Sequence, residues 1–520
     1  MLLRRVTRRC VFAFTVTVLA AAVLYVCMPK RGEAVTGHMI VEPGNSRIYV
    51  ETYGSVINGY ENEGVIWFFL PAYMHLDDID YDMSPLRMYE KDGGLLTTPK
   101  MNEILDIDAG EDEAHLTPYR IAFFQSENLL SLEISLSGNK IDDIDHDRYT
   151  DAFMTAHLPD GSMVYAGGAS IKGRGNSTWG NPKNPYQLRL AEDVSFSGMR
   201  PSDKWALLAN YYDDTKTVNK MVYDTAARIG MEYAIESDWV DLYINGDYAG
   251  NYLMCHEPDI SSMDLAIKNL EKENRPFFDP EKPFDNGVMK GYLYEELPRD
   301  ISGGYLVEAD YPDFYENKSS GFILRSGKPF SIKSPNNASY EEVKYIAGFM
   351  NEIDSEIHTG DAEAAFKHID ADSFAKRFLI DEVFYNVDES DTSYYFYKKP
   401  GYDILYGGPC WDYDKSCGLG LRGRDPAGST IDGISPESLD WIDILMEYPE
   451  FRQYVTDLFK KKKDIFEDLL SSGIDDYHER IKASLKMDGI RWGSGDTEEA
   501  FGRLKEYLGL RYEFMKMNYY

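Results

Sequence analysis

Apolar and polar residues alternate with a period of two in four early stretches: HMIVEP (38–43), SRIYVETYG (46–54), GVIWFFL (64–70) and YRIAFFQ (119–125). Period two sends successive side chains to opposite faces of a strand, and Gly, Asn and Asp between the stretches supply turns. Residues 38–128 therefore read as a small β-rich domain, a sandwich. The alternation continues in LLSLEISL and AFMTAHLPDGSMVYAGGASIKG, where Pro-Asp-Gly-Ser predicts a hairpin turn. DWVDLYINGDYAGNYLMCHEPDI (238–260) predicts a second hairpin, about Asn-Gly. Between the two hairpins the period changes. Asn219, Met221, Val222, Ala226 and Ile229 fall at helical spacing, with Asp213 or Asp214 as N-cap and Gly230 as C-cap. Residues 261–300 are polar, charged and Pro-containing, and read as a surface insertion. GGYLVEADYP (303–312) is a strand ending in acids, followed by a strand-like GFILRS and a loop through NNAS. Helical spacing returns at 339–360, at 370–388, and from Asp440 onward. The pattern defines an α+β chain.

Composition adds size, compartment and charge. The chain has 520 residues, 43% of them hydrophobic, enough for a sizeable core and more than one domain. Asp and Glu number 88 against 54 Lys and Arg, a net charge of −34. Such a chain has no basic field to attract a phosphate backbone, which argues against nucleic acid as a partner. Five Cys with no CxxC pair exclude a disulfide scaffold and a cysteine zinc site. Cys410 and Cys417 would bridge in an oxidising compartment or stay as thiols. Residues 1–9 form a basic arm with four Arg, and 10–28 carry no charge. This is the pattern of a transmembrane signal-anchor, or of a cleaved signal peptide. In either case the basic arm is cytoplasmic and the bulk of the chain extracytoplasmic. The acid-rich LDDIDYD and DIDAGEDE lack EF-hand spacing and read as solvated loops.

The candidate chemistry lies in residues 386–414, NVDESDTSYYFYKKPGYDILYGGPCWDYD. Asp388 closes a helix. Asp412 and Asp414 follow a short strand and a Gly-Gly-Pro turn. Carboxylates converging from separate elements are what a hard dication such as Mg²⁺ takes. Upstream, IKGRGNSTWGNPKNPYQLRL (171–190) has exposed glycine amides near Arg174, Lys183 and Arg189, a loop that either approaches phosphate or simply turns between strands. Glu257 ends the second hairpin and would pair with a cation.

Five ordered blocks resemble the CotH kinase family, spore-coat-type proteins with an atypical protein-kinase-like fold: IKGRGNSTWGNPKNPYQLRL, KWALLANYYDDTKTVNKMVYDTAARIG, VDLYINGDYAGNYLMCHE, GGYLVEAD, and DEVFYNVDESDTSYYFY with YGGPCWDYD. The resemblance implies a kinase-like core over 129–430, with the N-terminal β-rich domain before it and a helical region, 431–520, packed on it. It also implies phosphoryl transfer from Mg²⁺-ATP to Ser or Thr of a surface or spore-envelope protein. In that scheme Asp388 is the catalytic aspartate and Asp412 the metal ligand, with Asp414 as a further ligand. Arg174, Lys183 and Arg189 hold phosphate and Glu257 orients one of them. Thr392 and Ser393 stand where a kinase-like site offers Asn, and Arg189 stands where the family often has Lys. Two other readings use the same features: a non-catalytic surface or spore-coat scaffold, and a carbohydrate- or wall-binding protein.

Overall fold

A computed structural model describes residues 37–519 apart from short internal segments, among them 43–46, 81–86, 94–98, 111–115, 176–177, 261–266, 388–391 and 420–430. The charge-free stretch 10–28, and with it Cys10 and Cys27, lies outside the described residues. Among those described, no helix is long and apolar enough to cross a membrane. Helices and strands are both abundant, as an α+β chain requires.

The chain forms two compact units. The first comprises the residues up to Tyr211, together with Asp238–Met254 and Tyr477–Thr497. Its early strands make a four-stranded and a five-stranded sheet. In the latter, Val65–Leu70 pairs in parallel with Thr117–Gln125. Here the alternation expected from the sequence gives way to a continuous apolar run, VIWFFL, as a strand covered on both faces needs. Phe68, Phe69, Ile121 and Phe123 share one core with Tyr243, Tyr248 and Met487. The line drawn at residue 128 therefore falls inside a single compact unit.

The rest of this unit is a closed barrel built from β1 (Leu130–Leu136), β2 (Thr150–His157), β3 (Met163–Gly173), β4 (Tyr186–Val194), β5 (Ser202–Leu208), β6 (Ser237–Ile244) and β7 (Asp247–Cys255), in the order β1-β2-β3-β4-β5-β7-β6. Parallel pairing of β1 with β6 closes it. The two hairpins predicted at Pro-Asp-Gly-Ser and Asn-Gly are its β2–β3 and β6–β7 arms. Leu132, Ile134, Ile171, Leu188, Trp205 and Leu242 fill its core.

The second unit comprises Tyr212–Ser237, Cys255–Asp476 and the residues from Glu498. Helix α1 (Val218–Ile229) opens it. The N-cap position is Thr217, not the expected Asp213 or Asp214; Asp213, buried four residues before it, instead accepts from the amides of Thr215 and Val218 and so supports the turn that leads into the helix. Gly230 ends α1 at φ +91°, a left-handed conformation that only glycine adopts without strain. A seven-stranded sheet follows: β8 (Pro283–Asp285), β9 (Met289–Tyr292), β10 (Tyr305–Ala309), β11 (Gly321–Ile323), β12 (Pro329–Ser334), β13 (Tyr394–Lys398) and β14 (Leu405–Gly407), ordered β8-β9-β11-β12-β10-β13-β14. The 261–300 stretch thus contributes two strands, the edge strand β8 and its neighbour β9, rather than a surface insertion alone. Helices α2 (Tyr340–Ile357), α3 (Ala371–Phe384), α4 (Trp441–Glu447) and α5 (Pro449–Asp468) also belong here. Of the last two helices, most of α6 (Ile474–Trp492) belongs to the barrel unit and α7 (Thr497–Tyr519) almost wholly to the sheet unit.

Candidate active site

The WDYD turn is anchored at several points within the sheet unit. Its Tyr413 is fully buried. The Tyr413 amide donates to Asn219 Oδ1 of α1 at 2.7 Å, and its hydroxyl donates to Asp381 of α3. Arg377 holds the other oxygen of Asp381 at 2.7 Å and donates to the Pro409 carbonyl at 3.0 Å. Trp411 stacks on Tyr223 of α1, with centroids 6.0 Å apart. The Cys417 amide donates to the carbonyl of Phe384, the last residue of α3. The turn is thus fixed to both helices by backbone and side chain. Cys410 and Cys417 are buried free thiols, so the open alternative resolves to two thiols.

Asp412 is half-buried and sits at φ +66°. Asp tolerates the left-handed region better than most residues, but the conformation still costs energy and must be imposed by its neighbours. Tyr385 at φ +50° and Ser393 at φ +64° are in the same region, on either side of the segment that carries Asp388. Asp414 is 5% exposed. Asp388 itself lies outside the described residues. Among the described residues before it, Asn386 is buried and its carbonyl accepts from Ser435 Oγ at 3.0 Å.

Three charged residues, two of them the acids of GGYLVEAD and the other a lysine that sequence reasoning passed over, gather about Tyr395 of β13. Glu308 lies on β10 and is 4% exposed. One of its oxygens accepts from the Tyr395 hydroxyl at 3.0 Å, the Ser393 amide at 3.2 Å and the Thr392 hydroxyl at 3.3 Å. Its other oxygen faces Lys333 Nζ at 3.2 Å. Lys333 is the extra residue where the β10–β12 register shifts, Leu306 pairing with Ser334 and Val307 with Ile332. A bulge of this kind re-aims a side chain. The third residue, Asp310, accepts from Ser331 Oγ and lies 3.6 Å from Lys318.

The electrostatics tie these groups to Asp412. Burial opposes ionisation of Glu308, yet the ammonium groups of Lys333 and Lys318 outweigh it and hold its carboxyl below the ordinary value. Glu308 in turn raises Lys333, and Glu257 and Asp310 add to the effect. Burial lifts the Tyr395 phenol well above its usual range, and the charges of Glu308, Asp412 and Asp310 add to it. Four carboxylates, Glu257, Glu308, Asp310 and Asp412, thus act on the same neighbourhood as two lysines, Lys318 and Lys333.

The expected phosphate cations have different surroundings. All three belong to the barrel unit. Lys183 is fully buried, bonded to Asp488 Oδ1 at 2.6 Å and to the Asn251 carbonyl, and its ammonium lies 4.8 Å from the Tyr252 ring centre. An ammonium with these partners holds α6 to the barrel, which corrects its assignment to phosphate. Arg189 is exposed on β4, stacked on Tyr149 at 4.9 Å. Arg174 is half-buried, and its amide donates to the Pro185 carbonyl. The glycines of this loop have a structural use. A side chain on Gly173 would run into the Trp179 indole, which also packs against His146. Glu257 is half-buried, and among the sheet unit's cations its charge acts on Lys333.

The sequence model of the CotH kinase protein family matches residues 171–515, well over half of the chain, so this chain belongs to that family. No curated protein matches it.

Proposed function

We propose that the chain is an ATP-dependent protein kinase, held at the cell membrane by its N-terminal segment. In this reading it transfers phosphate from Mg²⁺-ATP to Ser or Thr of surface or spore-envelope proteins. The observation that carries the reading is the clamped WDYD turn, with a strained Asp412 that acts, like Glu308 of the Glu308–Lys333 pair, on Tyr395. Phosphoryl transfer has a loose transition state, so a kinase mainly positions groups and neutralises charge. Asp412 and Asp414 offer oxygen ligands only, which fit Mg²⁺. When bound there, the ion would neutralise the phosphate oxygens. Lys333, held by Glu308 and a third exposed, is the sheet unit's candidate phosphate cation. Arg174 and Arg189 remain candidates from the barrel unit. Asp388 orients the acceptor hydroxyl and takes its proton as the oxygen bonds to the γ-phosphorus. The bond from that phosphorus to the β-phosphate oxygen breaks and ADP leaves.

The test is a transfer assay. Purified protein is incubated with Mg²⁺, γ-labelled ATP and candidate surface proteins, beside Asp388→Ala and Asp412→Ala. Label on Ser or Thr that disappears in both variants is the expected result. Equal labelling by wild type and Asp412→Ala would refute the metal role. Absence of labelling, with ATP-independent binding to a surface protein or to purified wall glycan, would replace the kinase reading by the scaffold or the wall-binding one.

A further inference from the structure

We infer that Glu352, Glu356 and His368 form a site for a zinc-class dication that clamps the end of α2 to the start of α3. The inference stands apart from the phosphoryl-transfer reading and uses none of its residues. The ligating atoms of the three side chains all lie within 4.8 Å of one another. His368 Nδ1 is 2.7 Å from Glu356 Oε2 and 3.9 Å from Glu352 Oε1. Glu356 and His368 are mostly buried, at 14% and 13% side-chain exposure, while Glu352 opens to solvent at 55%. A tetrahedral site with bonds of about 2.1 Å separates its ligand atoms by roughly 3.3 Å. The two nitrogen–oxygen separations bracket that value, so small side-chain rotations suffice.

Two further features favour a cation. Glu352 and Glu356 are four residues apart on one helix face, where like charges repel. They also occupy the C-terminal part of α2, whose last turn has no basic residue. The helix dipole is negative at that end and disfavours carboxylates. The nearby cation is Lys367, 3.5 Å from Glu356 and 3.9 Å from Glu352, and it is itself 58% exposed. One solvated ammonium offsets two carboxylates only in part. The imidazole, by contrast, is held firmly. The His368 carbonyl accepts from the Leu405 amide at 2.8 Å, Asp370 N–H donates back to the Leu405 carbonyl at 2.9 Å, and Phe349 packs edge-on to the ring.

The donor set selects the metal. One nitrogen and two carboxylates suit zinc and its neighbours, whereas Mg²⁺ and Ca²⁺ take oxygen. Binding would displace Lys367 and join α2 to the segment whose Asp370 caps α3.

The experiment is calorimetric titration of tag-free, metal-stripped protein with Zn²⁺ and, separately, Mg²⁺. Thermal melting without metal serves as the check on folding. One Zn²⁺ per chain is expected, weakened at least tenfold in His368→Ala, His368→Gln and Glu356→Gln, and unchanged in Asp412→Asn. Lys367→Ala should bind more tightly, because the competing ammonium is gone; a merely structural ion-pair cluster predicts no such gain. Absence of Zn²⁺ binding, or wild-type affinity in both His368 variants, would overturn the inference. So would loss of the site in Asp412→Asn, or displacement of Zn²⁺ by millimolar Mg²⁺.

Discussion

At the residue scale, charges that look alike in the sequence have opposite uses. Lys183 and Asp488 are 0% and 2% exposed and form a buried pair. Removing one partner strands the other charge in the interior, a loss on the order of 3–5 kcal/mol. Lys183→Met should therefore lower the denaturation midpoint of the barrel unit. Lys183→Met combined with Asp488→Leu should recover part of the loss, as measured by denaturant unfolding. If Lys183 binds phosphate instead, the single variant will lose ATP affinity without losing stability. Lys333 carries the opposite expectation. Lys333→Met should reduce kcat/KM for phosphoryl transfer by about a hundredfold or more, the usual cost of deleting a charge-stabilising donor. Lys333→Arg should restore part of it, because it keeps the charge. An unchanged rate in Lys333→Met would remove this residue from the site. The sequence announced the acids of WDYD and GGYLVEAD but not these pairings. Lys333 meets Glu308 through a bulge, and Lys183 meets a residue 305 positions away. Neither relation leaves a local period.

At the element scale, the period was a good guide wherever one face of a strand or helix meets a core. Helix α1 was readable from its spacing and from Gly230 at its end, although Thr217 rather than Asp213 stands at its N-cap. The aromatic run Tyr394–Tyr397 lies in β13, which is buried along its whole length. The strands β8 and β9 were missed because they are three and four residues long, too short to show a period, so packing rather than pattern makes them strands. Packing of helix on helix yields a further prediction. Arg511 of α7 donates to the Glu382 carbonyl at 2.6 and 3.0 Å and to the carbonyls of Ile431 and Gly433, but reaches the Glu382 carboxylate only at 3.3 Å. Burial therefore dominates and pushes the Glu382 carboxyl up to about 7, although the Ser435 amide and Arg511 oppose it. A raised folded value means that the native state keeps a proton the unfolded chain gives up above about pH 4.3. Stability from this group is full below that pH. It is lost as pH rises towards 7, by about 1.4 kcal/mol for each step of one in pH. Glu382→Gln, which stays neutral, should flatten the stability difference between pH 5 and pH 7.5 measured by urea unfolding. An unchanged slope would mean that Glu382 is ionised across the whole range.

At the scale of the molecule, each compact unit is discontinuous in sequence. The barrel unit takes Asp238–Met254 and Tyr477–Thr497 from beyond its main segment. The expected division into an N-terminal domain, a core and a helical tail followed composition along the chain, and composition does not reveal where a late helix returns. Helix α6 returns to the barrel. Ser484 donates to the buried Asp241 carboxylate at 2.6 Å, beside Ser126 and Tyr248, while Asp488 receives Lys183 and the Asn251 amide. A fragment ending at residue 476 should therefore lose the fold of the barrel unit. Its Lys183 and Asp241 would be buried without these partners, and limited proteolysis should cut within residues 130–255. Adding residues 477–497 as a separate peptide should restore protection if α6 is the missing piece.

The same helix sets a schedule for biosynthesis. The loop carrying Lys183 and the strand carrying Asp241 leave the ribosome hundreds of residues before Ser484 and Asp488 do. Until then the barrel holds an ammonium and a carboxylate whose counterparts have not been translated. A chain folding as it is made would therefore carry an incomplete first unit until its last residues emerge. Chaperones would meet that half-built barrel before they met a finished one.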